Sequence, residues 1–335
     1  MNARFYRGMT AVAIAATMAL GGAVPALATT AQDVYYGITY NKSGEGIRPT
    51  ETLTFTQTKV SASGSSVYAA DGSNLPPLTI SPITLSEAVT TGNVKVAIPE
   101  YQTVGVFTYK LTPSWNTDNT KTDAGVDYDD INEVYVVVTV TNGANGLEST
   151  VHFHQGTADS SDKTAFDTFT YNSGKVSVSK TVTGNLGDKN EYFNVTVHLT
   201  GEAGKNYAGS YTISGGSATD NPKTIAVGGS AEVKVKNGDT ITINGLPAGV
   251  TYTVTEDNYT AEGYDAASYE YSDTADTKTI SANDADTVTI TNRKQNDNID
   301  TGVFLNNAPY IAILAGVGAA AIIVINRRRH ANDED

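Results

Sequence analysis

Val176, Val178, Lys180 and Val182 alternate along a run of β-forming residues, so the period-two rule turns the lysine to the same face as three valines. A lysine aimed into an apolar core is an anomaly, and burial lowers the pKa of its amine, which makes it a nucleophile. Near the other end, Thr301-Gly302 is followed by an uncharged, mostly apolar stretch from Ala308 to Ile325 and then by Arg327, Arg328 and Arg329. Those 18 residues are just enough to cross a hydrocarbon core of about 30 Å, and the arginines favour a cytoplasmic C-terminus. A plain membrane anchor needs the span and the arginines but gives no reason for a Thr-Gly peptide upstream. His152 and His154 share a strand face, yet the chain has four histidines and no evident third ligand, so no metal or cofactor is expected. No Ser-His-Asp order, zinc spacing or glycine-rich phosphate loop appears.

The elements that position these residues read as strands. Thr, Val, Tyr and Ile alternate with polar residues in short runs separated by Gly, Asn, Asp and Pro, as in Thr52 to Thr56, Val134 to Val140, Phe193 to Leu199, Thr240 to Ile243, Thr251 to Thr255 and Thr287 to Thr291. No stretch of the central region has helical periodicity over a length that would bury a face. The fold class expected is all-β, two Ig-like β-sandwich domains in tandem. Arg4 and Arg7 precede an apolar run from Met9 to Leu20, and Ala26-Leu27-Ala28 offers small residues for a signal peptidase, so residues 1–28 read as a signal peptide cleaved after Ala28. A turn signal at Asn172-Ser173-Gly174 places the domain boundary there, giving domains at 29–172 and 173–296 and a C-terminal signal at 297–335.

Removing Arg4 and Arg7 with the first segment, and Arg327, Arg328, Arg329, Asp333, Glu334 and Asp335 with the last, leaves 17 basic residues against 33 acidic, a charge of -16. Such a surface repels nucleic acid and anionic membrane, which disfavours those partners. The chain has no cysteine, so any covalent staple must come from other chemistry.

The C-terminal order Asn298-Ile299-Asp300-Thr301-Gly302, apolar span, basic stop resembles the cell-wall sorting signal read by sortases of Gram-positive bacteria. The resemblance implies cleavage between Thr301 and Gly302 and transfer of the Thr301 carbonyl to an amine. The pentapeptide departs from the commonest form of that motif, having Asn-Ile-Asp where Leu-Pro-x would stand. The segment Val178 to Asp188, with Thr183-Gly184-Asn185-Leu186-Gly187-Asp188, closely resembles the opening of the isopeptide-linkage domains of Gram-positive pilins. The likeness continues at Tyr252-Thr253-Val254-Thr255-Glu256 and at Val288-Thr289-Ile290-Thr291-Asn292. It implies an amide between Lys180 and Asn292, with Glu256 as the catalytic acid. The chemistry needs those types together: a neutral amine to attack, a protonated acid to polarise the carboxamide, and one apolar pocket to tune both.

The first half resembles the family's N-terminal domain at Ile98-Pro99, Gly105-Val106-Phe107-Thr108-Tyr109, Gly125-Val126-Asp127-Tyr128-Asp129 and Tyr135 to Val140. Its bond-forming positions do not match. Pro113 stands where the acid should follow, Tyr40 takes the inward register of the lysine, and Thr168-Phe169-Thr170 continues with Tyr171, while Lys42 and Asn172 lie one or two residues away. A first domain without a crosslink is expected. The family's acceptor lysine lies shortly before the last strand of that domain, which implies Lys163, with Lys175 the nearest rival. The resemblance as a whole implies a backbone subunit of a sortase-assembled pilus, with a sortase, identical subunits, minor pilins and cell-wall peptidoglycan as partners. A monomeric wall-anchored adhesin for a host protein or glycan is the alternative, and an enzyme is not expected.

Overall fold

The computed structural model describes residues 28–115, 122–161, 163–275 and 277–296. The first eleven strands are β1 (Gln32–Ser43), β2 (Glu51–Ser63), β3 (Thr79–Ile80), β4 (Ile83–Leu85), β5 (Thr91–Ile98), β6 (Gly105–Trp115), β7 (Thr122–Asp123), β8 (Val126–Asp127), β9 (Val134–Gly143), β10 (Gly146–Gln155) and β11 (Phe166–Thr183). They are followed by β12 (Phe193–Thr200), β13 (Lys205–Asn206), β14 (Tyr211–Gly215), β15 (Thr224–Ile225), β16 (Ser230–Val235), β17 (Thr240–Pro247), β18 (Thr251–Glu256), β19 (Ser268–Tyr271) and β20 (Ala285–Arg293). The one helical element among the described residues is a 3-10 turn, Thr260–Glu262. The all-β reading therefore holds, and every run named above as a strand lies in one.

In the first sandwich β10-β9-β6-β2-β4 form one sheet, and β1 lies between β11 and β5 in the other. The two layers meet through their inward alternations: Tyr36 of β1 packs its ring 5.2 Å from Phe153 of β10 and 6.5 Å from Phe55 of β2. Val134, Val136, Val138 and Val140 of β9 and Phe107, Tyr109 and Leu111 of β6 complete this core. In the second sandwich β16-β12-β18 form one layer, and the other is β14, β17, the second half of β11, and β20.

Asn172-Ser173-Gly174 is not a turn. It lies inside β11, an unbroken strand of 18 residues. Phe166 to Asn172 pair in parallel with β1, and Ser173 to Ser179 pair antiparallel with β17, with a register shift between Gly174 and Val176. The glycine and the small serine thus mark a bulge where the strand changes partners, a use of turn-forming residues that composition does not distinguish from a loop. The change of partner falls between Asn172, the last residue paired with β1, and Ser173, the first paired with β17. The larger compact unit takes in the chain up to Thr181 with Asn190–Asp257 and Ser268–Ile290, and the smaller consists of Val182–Lys189, Asn258–Ala267 and the chain from Thr291 on.

Candidate functional site: a buried lysine and carboxylate

β11 buries Val176, Val178, Lys180 and Val182 as the period-two rule requires. Facing it, β12 turns Phe193, Val195, Val197 and Leu199 inward, and β18 turns Tyr252, Val254 and Glu256 the same way. β12 and β18 run antiparallel with Val195 opposite Glu256, which sets the carboxylate over the core. Lys180 Nζ donates to Glu256 Oε2, and neither side chain has any exposed surface. The ammonium position also lies 4.1 Å from the centroid of the Phe193 ring. Burial lowers the affinity of the Lys180 amine for its proton, and the Glu256 partner opposes but does not reverse that shift.

The backbone fixes this lysine from behind. Its N–H donates to the Asp239 carbonyl at 2.9 Å and its own carbonyl accepts from Gly238 N–H at 2.9 Å. The Glu256 N–H donates to the Tyr269 hydroxyl at 2.8 Å. The arrangement supplies a nucleophile and an acid in a pocket lined by valine and phenylalanine. Asn292 closes the inward series Val288, Ile290, Asn292 of β20, a strand that pairs with β11, and is 1% exposed.

Within the smaller unit, the segment Thr183-Gly184-Asn185 grips the residues that follow β20. Lys294 N–H donates to the Thr183 carbonyl at 3.0 Å, and Leu186 N–H donates to the Lys294 carbonyl at 3.1 Å. Gly184 has φ +87°, and a Cβ there would sit 2.2 Å from the Lys294 carbonyl oxygen, so the position admits glycine alone. Asn185 accepts from the Asn296 N–H at 2.9 Å and donates its amide to the Asn296 carbonyl at 3.1 Å, imitating a strand neighbour.

In the first sandwich an aromatic stack occupies the positions at which the resemblance led one to look for a crosslink. Tyr40 and Phe169 are register partners on β1 and β11, their rings stacked at 4.1 Å, and Trp115 packs 4.6 Å from Phe169. Trp115 is thus a core anchor at the end of β6. Lys42 points outward to an ion pair with Glu87 at 2.8 Å, and Pro113 sits opposite Phe55. Sequence reasoning missed Glu51, a carboxylate only 1% exposed that accepts from the Tyr128 hydroxyl at 2.7 Å. The alternation Glu51, Leu53, Phe55 carried that signal. Burial and the Glu51 charge both push the Tyr40 and Tyr128 hydroxyls up.

Lys163 is exposed, in the loop between β10 and β11. That loop is tied down by His154, whose Nδ1 lies 2.6 Å from the Ser160 carbonyl and must carry the proton. His152 and His154 rings are 6.4 Å apart, and no three metal-binding side chains converge among the described residues. Lys175 is half-buried on β11 with its N–H donated to Asp284. Ala28 is the first described residue, while the rest of the segment expected to be a signal peptide, Thr301, Gly302 and the apolar stretch lie outside the described residues.

Residues 174–294 match the family described as a domain of unknown function, DUF7601. A "Pilin" of Streptococcus pyogenes serotype M1 is 32% identical over 165 residues, covering 44% of this chain and 47% of that protein. A "Pilus tip adhesin Cpa" of Streptococcus pyogenes is 35% identical over 82 residues, 24% of this chain and 11% of that one. The chain therefore spans about half or less of the length of these relatives. The crystal structure of a major pilin from Streptococcus pyogenes aligns with 79% of this chain and 99% of its own at 19% identity and a TM-score of 0.49. In sequence, the chain is similar to streptococcal pilus proteins, and its second half carries the match to DUF7601.

Proposed function

We propose that this chain is a structural subunit of a covalently polymerised cell-surface pilus of a Gram-positive bacterium, stapled internally by an amide between Lys180 and Asn292. The observation that carries the reading is the buried Lys180–Glu256 pair. An ion pair with no exposed surface costs more in desolvation than an apolar pair of the same volume, so stability alone does not account for it. Reactivity does. The neutral Lys180 amine attacks Cγ of Asn292 while protonated Glu256 polarises the carboxamide oxygen; the new C–N bond forms, the old one breaks, and ammonia leaves. Such a single intramolecular turnover needs no outside catalyst once amine and carboxamide are held in reacting geometry.

A sortase then breaks the Thr301–Gly302 amide and re-forms it with Lys163 Nζ of another subunit, or with cell-wall peptidoglycan at the base. The likeness to a pilin over 165 residues supports the subunit role. The likeness to a pilus tip adhesin favours a second reading, a wall-anchored adhesin. The two differ in polymer. Protein covering residues 29–301 is expected to weigh one ammonia less than its sequence mass and to yield a branched peptide joining Lys180 to Asn292. Wall extracts are expected to show a detergent-resistant ladder that Lys163→Ala abolishes and Lys175→Ala leaves intact. An intact mass equal to the sequence mass sinks the staple, and a single wall-linked band sinks the polymer.

A further inference from the structure

The first sheet ends unevenly. β5 pairs with β1 back to Gln32, opposite Ile98, whereas β11 pairs with it only from Gly37, opposite Phe166. Residues Gln32 to Tyr36 therefore have a strand on one side and, among the described residues, none on the other. Backbone groups alternate sides along a strand, and Gly37 N–H donates toward β11, to the Ala165 carbonyl at 2.8 Å. The N–H and C=O of Tyr35 and Asp33 consequently face the open side. Tyr35 is 49% exposed, and of the devices that usually blunt such an edge, proline, a bulge or charge, Gln32–Tyr36 holds only the charge of Asp33, which is paired with Lys95 at 2.7 Å. Behind the edge the two sheets are bridged by polar side chains. Gln32 Nε2 donates to Ser149 Oγ at 3.0 Å, and Gln155 Nε2 donates to the Tyr36 hydroxyl at 2.9 Å and the Phe166 carbonyl at 3.1 Å.

This edge stops at Gly37, whose N–H takes the carbonyl of Ala165, two residues after Lys163 in the sequence. At the other end of the chain, Asn296 is the last residue held by Asn185, and Thr301 follows five residues later. Five extended residues reach about 17 Å, the length of Gln32–Tyr36. Resting on the Lys163 and Thr301 assignments above, we infer that in the polymer residues 297–301 of one copy add to β1 of the next as a parallel strand. Run parallel to β1, as β11 is, the segment ends with Thr301 at the Lys163 side. The register that sets residues 297–301 beside 32–36 turns Ile299 inward next to Val34, a half-buried member of the core. Selection of Lys163 then lies in main-chain pairing that delivers the threonine carbonyl to it, and not in a sequence motif around the lysine.

The test is hydrogen exchange at the Asp33 and Tyr35 amides in polymer released from the wall against monomer from a sortase-deficient strain. At least a tenfold slowing at both is expected, with no change at Thr39, which β11 already pairs. Equal exchange in polymer and monomer, with the branched peptide mapped to Lys163, overturns the pairing and leaves the acceptor assignment standing. Slowing at both amides with the branch mapped to another lysine overturns the acceptor and supports the pairing. Should the cells give no polymer, an amidated peptide of residues 297–301 titrated at millimolar concentration into the monomer reads the same two amides by NMR. Shifts there support the inference, and unmoved resonances overturn it.

Discussion

Glu256→Ala removes the acid and, on the proposed chemistry, the bond with it. Two contributions set the size of the effect. The amide closes a loop from Lys180 to Asn292, 113 residues counted along the sequence, and chain-entropy scaling from disulfides gives about 5 kcal/mol for its loss. Lys180 has no exposed side-chain surface, so taking away the Glu256 carboxylate adds the cost of breaking a buried ion pair, about 3–5 kcal/mol for pairs of this kind. These do not simply add, because a lysine whose pKa burial has already lowered can shed its proton instead. A net loss of about 5–8 kcal/mol follows, which at about 2–4 °C per kcal/mol lowers the melting temperature by about 10–30 °C. Intact mass spectrometry and calorimetry read the two halves separately, with Asn292→Ala as the reference that loses the bond but keeps the pair. Full ammonia loss in Glu256→Ala would refute the role of the acid. Equal melting temperatures for Glu256→Ala and Asn292→Ala would refute the cost assigned to the broken ion pair.

In Asn292→Ala the Lys180 amine remains titratable. Unfolded, it keeps its proton up to the ordinary lysine value of 10.5; folded, it gives it up at lower pH, so the unfolded chain binds more protons in between. Stability of that variant should rise with pH across that window, and urea titrations at a series of pH values should show no such Lys180-linked rise in the bonded protein. In the first sandwich Tyr128→Phe leaves the buried Glu51 without a 2.7 Å hydrogen bond and should cost about 1.5–3 kcal/mol in denaturant melts. A cost near zero would mean that Glu51 finds an equal partner. Gly184→Ala should speed proteolysis after β20, since its methyl group meets the Lys294 carbonyl; unchanged cleavage would show the clasp to be dispensable.

The sequence exposed what depends on local alternation. Lys180 was legible as buried because three valines flank it at spacing two, and Glu256 falls inward on β18 by the same rule. It hid what depends on strands far apart in the chain. Nothing local in Ser173-Gly174 tells a bulge from a turn, since the difference is that β17 waits about seventy residues downstream to pair there. The Tyr40–Phe169–Trp115 cluster joins three strands, and Trp115 beside Pro, Asn and Asp reads as a loop residue until Phe169 is placed against it. Glu51 was overlooked because an acid at a strand's start is ordinarily solvated; its partner Tyr128 is 77 positions away.

The uninterrupted β11 also orders events in time. A chain emerging from the ribosome presents β1 first, yet the partner of Gly37 is Phe166, more than a hundred residues later, so the first sandwich cannot finish its sheet until β11 has emerged. The same strand then opens the second sandwich, and Ser173 to Ser179 hold their β17 register in turn. Completion of one core is thus the first step in building the next, and the residue on which the proposed staple closes, Asn292, is among the last to arrive. Sealing comes at the end of a relay in which each half-formed body waits on a later stretch of chain.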